Sequence, residues 1–272
     1  MRYVFDHDYH IHSFLSSCSS DPNQLPEAIL QYARENGLKR IVITDHFWDS
    51  DVPGASNWYA PQNYLHISQS LPLPQAEGIE FLFGCETDMD KFFTVGVADQ
   101  NLDKFDFIIV PTTHLHMGGF TLESAEATVE ERAELYVKRL DALLDKNLPF
   151  EKIGIAHLTC SLIAPGDFEN HMKVLDLIPD ETFVRLFKRV QEKGAGVELN
   201  MDIFKYAEKD LDRVLRVYRI AKSCGCKFYI GSDAHSVGRL QAEKKNAERI
   251  IALLELEESD KFTFPLNKAS VK

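Results

Sequence analysis

The chain carries ten histidines, and what surrounds them matters more than their number. Six lie at or just beyond the C-terminal end of a short apolar run: His10 and His12 in DYHIHS, His46 in ITDHF, His114 in PTTHLH, His157 in IAHL and His235 in GSDAHS. Two carboxylates occupy equivalent places, Glu86 in FGCETD and Asp233 in GSDAH. Imidazole nitrogens mixed with carboxylate oxygens suit zinc, manganese or ferrous iron, whereas thiolate-rich sets mark structural zinc. On a strand, His10 and His12 project to one side because side chains alternate with period two, so both can reach one ion. A carboxylate such as Glu86 can offer one oxygen to each of two ions. That arrangement clamps the attacking and leaving oxygens of an in-line displacement and acidifies a bound water. Each fragment alone has a plainer reading. Asp45-His46 and Asp233-x-His235 are also helix caps in pattern, and a lone His157 at a strand end is often only a satisfied polar residue. The joint occurrence at six strand ends is what predicts a metal site.

Such a site needs elements that converge. Apolar runs predict strands over Tyr3–His10, Arg40–Thr44, Glu80–Cys85, Phe107–Val110, Lys152–Ala156, Gly196–Leu199 and Lys227–Ile230. Amphipathic stretches predict helices over Pro26–Asn36, Glu123–Lys146, Asp180–Glu192, Lys209–Ser223 and Val237–Leu256, with Gly37, Gly194 and Gly225 placed as left-handed caps. Strand–helix alternation favours a parallel sheet. Seven strands suggest a barrel of seven or eight units, though a doubly wound sheet gives the same one-dimensional pattern. In a barrel the strand C-termini share one face, which would gather these ligands. Asp49–Gly78, with four prolines and Trp58, and Cys160–Pro179 are expected to be long connections near that face.

Composition bounds the rest. At 272 residues, with 44% hydrophobic and 26% charged residues, the chain is expected to be a single globular domain spanning 1–272. No apolar run is long enough for a membrane span, and no secretory leader is read at the start. The five cysteines (Cys18, Cys85, Cys160, Cys224, Cys226) fit a reduced, cytoplasmic protein better than a disulfide scaffold. The net charge of −12 argues against a nucleic-acid backbone as the main partner, because phosphate contacts need clustered Lys and Arg. A small phosphorylated molecule stays possible, because bound cations reverse the local sign. Oligomeric state is not legible.

H-x-H, then D-H after the second strand, an isolated Glu after the third, His after the fourth and fifth, and a closing S-D-x-H together resemble the PHP (polymerase and histidinol phosphatase) family, in family order from Asp8 to about Arg239. GCETD, VELNMD and IGSDAHS are most similar to its histidinol-phosphate phosphatase branch. The resemblance implies a distorted (β/α)7 TIM-like barrel with two to three divalent ions (zinc, manganese or iron) at the C-terminal face. It implies that His10, His12, Glu86 and Asp233 hold one ion, and that Glu86 bridges to a second on His114 and His157. His46 and His235 would hold a third with a ligand from the loop after His12. There the chain departs from the pattern: the family often has His where Cys18 stands, and Asp21 is another candidate.

The implied reaction is hydrolysis of a small phosphomonoester, with L-histidinol phosphate (hence histidine biosynthesis) as leading substrate. Glu86, Asp233 and His235 are the expected catalytic residues; Asp233 or His235 is a candidate to stabilise the departing alkoxide. His116 and Arg239 are expected at the substrate, Glu198 and Asn200 either there or behind the metal ligands, and Trp48, Trp58 and Lys205 are candidates for shaping specificity. His7, His66 and His171 are given no role. The alternatives are a PHP phosphoesterase acting on nucleotides or short oligonucleotides, an amidohydrolase-type metal hydrolase, and a metal-binding PHP domain without turnover.

Overall fold

A computed structural model of the chain describes residues 1–205, 207–241 and 243–266. Seven parallel strands among these residues pair in sequence order: β1 (His7–Ile11), β2 (Arg40–Ile43), β3 (Glu80–Glu86), β4 (Phe107–Pro111), β5 (Ile153–Ala156), β6 (Gly196–Asn200) and β7 (Lys227–Gly231). Helices α1 (Pro26–Asn36), α3 (Val129–Leu144), α4 (Phe168–Leu177), α5 (Asp180–Lys193) and α6 (Glu208–Ser223) cover the outside, with a short α2 (Tyr64–Ile67) in the β2–β3 connection. The result is a nearly closed α/β barrel. Among the described residues, no helix is long and apolar enough to cross a membrane.

Alternation along the strands builds two apolar layers. Ile41, Ile43, Phe81, Phe83, Ile108, Val110, Phe228 and Ile230 face the helices, while Val42, Leu82, Phe107, Ile109 and Tyr229 form a separate cluster. That second cluster fills the barrel interior. Continuing the inner series past Leu82 and Gly84 brings Glu86 to the top of the barrel. β1 breaks the rule in a useful way. Asp8 pairs with Ile41 but Ile11 pairs with Ile43, so three steps on β1 match two on β2. This bulge shifts the parity, so His10 joins Tyr9 on the inner side and His12 follows it.

The β1–β7 seam closes partly through side chains. Asp233 N donates to His10 O (2.8 Å) and His12 N to Ala234 O (3.1 Å). Lower down, Ile230 N donates to His7 Nε2 (3.1 Å) and Ser232 N to Asp8 Oδ1 (3.1 Å). His7, without an expected role, thus accepts a bond that a regular ladder would give to a carbonyl.

Several boundaries differ from expectation. Residues 3–6 are not strand; Tyr3 N instead donates to Leu256 O. α3 starts at Val129 because Thr128 and Glu131 form a reciprocal capping box. The supposed connection Cys160–Pro179 contains α4, capped by Asp167. The helix expected over Val237–Leu256 is divided into α7 (Val237–Leu240) and α8 (Glu243–Leu253); residue 242 between them, and residues 267–272 of the expected 1–272 domain, lie outside the described residues.

Candidate metal centre

Glu86, 1% exposed at the end of β3, is the hub. Its Oε2 lies 3.4 Å from His10 Nε2, 3.2 Å from His12 Nε2 and 3.0 Å from His46 Nδ1, and its Oε1 lies 3.1 Å from His157 Nε2. Asp233 Oδ1 is 3.2 Å from His12 Nε2 and 3.6 Å from His10 Nε2. Three groups have candidate ligand atoms within 4.8 Å of one another: His10/His12/Glu86, Glu86/His114/His157 and His12/His46/His235. Residues 225 positions apart in sequence therefore meet at one face.

The imidazoles are held from behind. His10 Nδ1 meets Glu198 Oε2 at 2.7 Å. His12 Nδ1 meets Ser16 Oγ at 2.9 Å, and that hydroxyl donates to Asp45 (2.6 Å). His114 Nδ1 meets Asp88 Oδ2 (2.9 Å), His157 Nδ1 meets Thr113 Oγ1 (3.2 Å), and His235 Nδ1 meets the Asp233 carbonyl (2.8 Å). Tying Nδ1 fixes the tautomer and leaves Nε2 for a ligand, as partners of metal-bound histidines do. His46 is the exception: its buried Nδ1 points to Glu86 yet makes no hydrogen bond.

The electrostatics suit a cation. Burial alone would raise the Glu86 carboxyl, but His46 and His10 outweigh it and hold it well below the usual carboxylate range. Asp233 is likewise held low against burial by His10, His12 and His235. Burial opposes charge on His10, yet Glu198, Glu86 and Asp233 raise it well above the ordinary value. Burial pushes His46 well down, and takes His235 and His116 to about 4. Protons on His10 and its neighbours thus balance buried carboxylates, and a divalent ion would release those protons on binding. The orphaned His46 Nδ1, the shared Glu86 oxygens and the mixed N/O donors fit divalent metal ions.

Above the cluster opens a cavity of about 600 Å³, walled by Trp58, Tyr59, Met117, His116 and Leu162, with Asp202 and Lys205 also on its lining. His46, Glu86, His114, His157, Asp233 and His235 border it, and so does Cys18. Cys18 is exposed and stands outside the His12/His46/His235 group. The Asp21 carboxylate is taken up by the backbone N–H groups of Asn23 and Val237.

Four of the expected substrate-side residues lie away from the cavity lining. Glu198 and Asn200 are 0% and 2% exposed and lie outside the cavity lining, because inner positions of β6 sit below the cluster. Glu198 grips His10 and accepts from Tyr229 Oη (3.1 Å) and Asn200 Nδ2 (2.7 Å). Arg239 is turned to Asp202 (3.0 Å) and is not in the lining. Trp48 is 1% exposed, packed on Tyr59 and Phe120, with its indole N–H on the Val52 carbonyl. Trp58, by contrast, lines the cavity edge-on to His46 (centroids 4.9 Å). Asp88, Arg139, Tyr59 and Ser16 support the centre without having been singled out, and Asp45, named only for its place beside His46, supports it through Ser16. Only Asp88 carried a hint, two residues beyond Glu86 on the same alternating series.

The sequence matches the PHP domain over residues 8–202. A probable phosphatase of Caldicellulosiruptor saccharolyticus is 25% identical over 215 residues, 78% of this chain and 74% of that protein. A probable phosphatase of Caldicellulosiruptor bescii is 22% identical over 227 residues, 82% of this chain and 79% of its own length. The crystal structure of histidinol phosphate phosphatase from Lactococcus lactis subsp. lactis, complexed with zinc, L-histidinol and phosphate, has the same fold, with TM-score 0.60 and 18% identity over 95% of this chain and 98% of that one. With the family match extending from β1 through β6, the chain belongs to the PHP domain family.

Proposed function

We propose that the chain is a metal-dependent phosphoesterase that hydrolyses a small phosphomonoester, with L-histidinol phosphate as the leading substrate. The observation that carries this reading is the Glu86 carboxylate, shared between His10, His12 and His46 on one oxygen and His157 on the other, under a cavity of small-molecule size. Such a ligand set would hold divalent ions that neutralise phosphoryl oxygens and lower the pKa of a bound water.

The chain's own groups divide the remaining work. His10, His12, Glu86 and Asp233 would hold one ion, His114 and His157 with Glu86 a second, and His46 and His235 a third. Cys18 is a candidate third donor there. Asp233 and His235, which border the cavity, are the candidates to steady the departing alkoxide. His116, which lines the cavity and is kept neutral by burial, is placed to accept or donate at the substrate. Trp58, Met117 and Leu162 supply apolar wall for the organic group. The acidic chain would draw in the cationic amine and imidazole of histidinol phosphate.

Elemental analysis after reconstitution should find at least two transition-metal ions per chain. Glu86→Gln should lose more metal and activity than His157→Ala, since one carboxylate serves two groups; equal mild effects would remove the bridge. kcat/KM measured side by side should then favour histidinol phosphate over mononucleotides and a short oligonucleotide. A leading mononucleotide would overturn the histidinol assignment alone, and a leading oligonucleotide the small-molecule reading.

A further inference from the structure

One buried charge pair beside the centre is not used by the proposed chemistry. Arg139, on α3, is 0% exposed, an expensive place for a guanidinium. Its Nε donates to Thr112 O (3.0 Å), its Nη1 to Met89 O (2.9 Å) and Thr121 O (3.2 Å), and its Nη2 to Asp88 Oδ1 (2.8 Å). Asp88, also 0% exposed, sits at the junction of three elements. Oδ1 faces Arg139 from α3, while Oδ2 accepts from His114 Nδ1 after β4 (2.9 Å) and from Tyr59 Oη in the β2–β3 connection (3.3 Å).

The bond directions assign the parts. Arg139 can only donate, so Asp88 is fixed as an acceptor, and His114 must then carry its proton on Nδ1. Nε2 of His114 is left with its lone pair beside Glu86 and His157. We propose that Asp88 is the positioning residue of this ion site. Arg139 locks its carboxylate, the carboxylate locks His114, and Tyr59 ties the same oxygen to the cavity wall. Through Tyr59 and its edge-on neighbour Trp58 (centroids 4.7 Å), the wall that meets the substrate's organic group is set by the carboxylate that sets the ligand. The inference rests on the metal-centre reading.

Zinc titration of metal-stripped protein, with elemental analysis of the loaded chain, tests it. Asp88→Asn should weaken one ion by about 10- to 100-fold, the size expected for an outer partner of a ligating histidine. His114→Ala should lose the same ion, and the double variant should bind no less zinc than His114→Ala alone. A general structural role would instead add a further loss in the double variant, and that result overturns the proposal. Wild-type affinity and stoichiometry in Asp88→Asn also overturn it. Should Asp88→Asn fail to fold, Tyr59→Phe removes only the hydroxyl. It should weaken the same ion several-fold in the wild-type background and change nothing in His114→Ala; no effect in the first overturns the proposal. A wild-type chain that takes up no zinc overturns the metal centre together with this inference, whereas normal uptake by both wild type and Asp88→Asn overturns this inference alone.

Discussion

At the scale of single residues, the centre depends as much on what is small as on what binds. A Cβ at Gly231, inside IGSDAHS, would lie 2.7 Å from Glu198 Cδ and 2.8 Å from His10 Cβ. Neither neighbour can yield freely: Glu198 is held by His10, Tyr229 and Asn200, and His10 faces Glu86 and Asp233. Gly231→Ala should therefore misplace His10 and cost about 1–3 kcal/mol from overpacking. Metal uptake should fall with activity while circular dichroism still reports the barrel. Full zinc stoichiometry in this variant would show that the His10–Glu198 pair tolerates displacement. The ligand-type residues were legible in sequence because each ends an apolar run. Most of their supports were not. Asp88 and Arg139 are 51 positions apart, Ser16 and Asp45 29 apart, and neither pair follows a periodicity that marks contact.

At the scale of elements, the strands could be read within a few residues, because inner and outer apolar positions alternate with a period of two. The β1 bulge could not be read, since it is set by pairing with β2 rather than by β1 itself. Nor was α4, whose ten residues FENHMKVLDL follow Pro165-Gly166 and mix polar with apolar residues. α4 buries His171 at 1% exposure, and burial lowers the imidazole to about 4 against a backbone hydrogen bond at Thr159, two residues beyond His157. The unfolded chain takes up a proton near pH 6.5 while the folded chain stays neutral at this site down to about 4. The contribution to stability is thus fully present above pH 6.5 and is lost as pH falls through that window, up to about 3 kcal/mol. In His171→Gln, which does not titrate, that part of the acid sensitivity should vanish. Denaturant unfolding of both proteins at pH 7 and pH 5 reads it: the advantage of the wild type should shrink at pH 5, and a constant difference would mean that His171 does not titrate as buried.

Across the whole molecule, the two ends of the barrel have separate tasks. Candidate metal ligands crowd the C-terminal ends of the strands, whereas the N-terminal ends are closed by the segment after α8. Phe262 N donates to Phe228 O (2.7 Å) near the start of β7, and Arg40 at the start of β2 donates to Phe264 O (3.1 Å). The Phe264 ring stacks on Phe107 (centroids 4.8 Å) and meets Tyr9 edge-on (5.0 Å). This plug fits because the barrel wall is thin at Gly154 and Gly196; a Cβ at Gly196 would meet Phe262 at 2.8 Å. Phe264→Ala should open a cavity costing about 3–5 kcal/mol. For a chain of this size that lowers Tm by on the order of 10 °C. Catalysis should not follow, because none of the plug residues borders the cavity above Glu86. Calorimetry and kcat/KM at 25 °C separate the two effects: a lower Tm with unchanged kcat/KM supports independent ends. A matching fall in kcat/KM, with zinc fully bound, would mean that packing at the bottom of the barrel sets the geometry at its top.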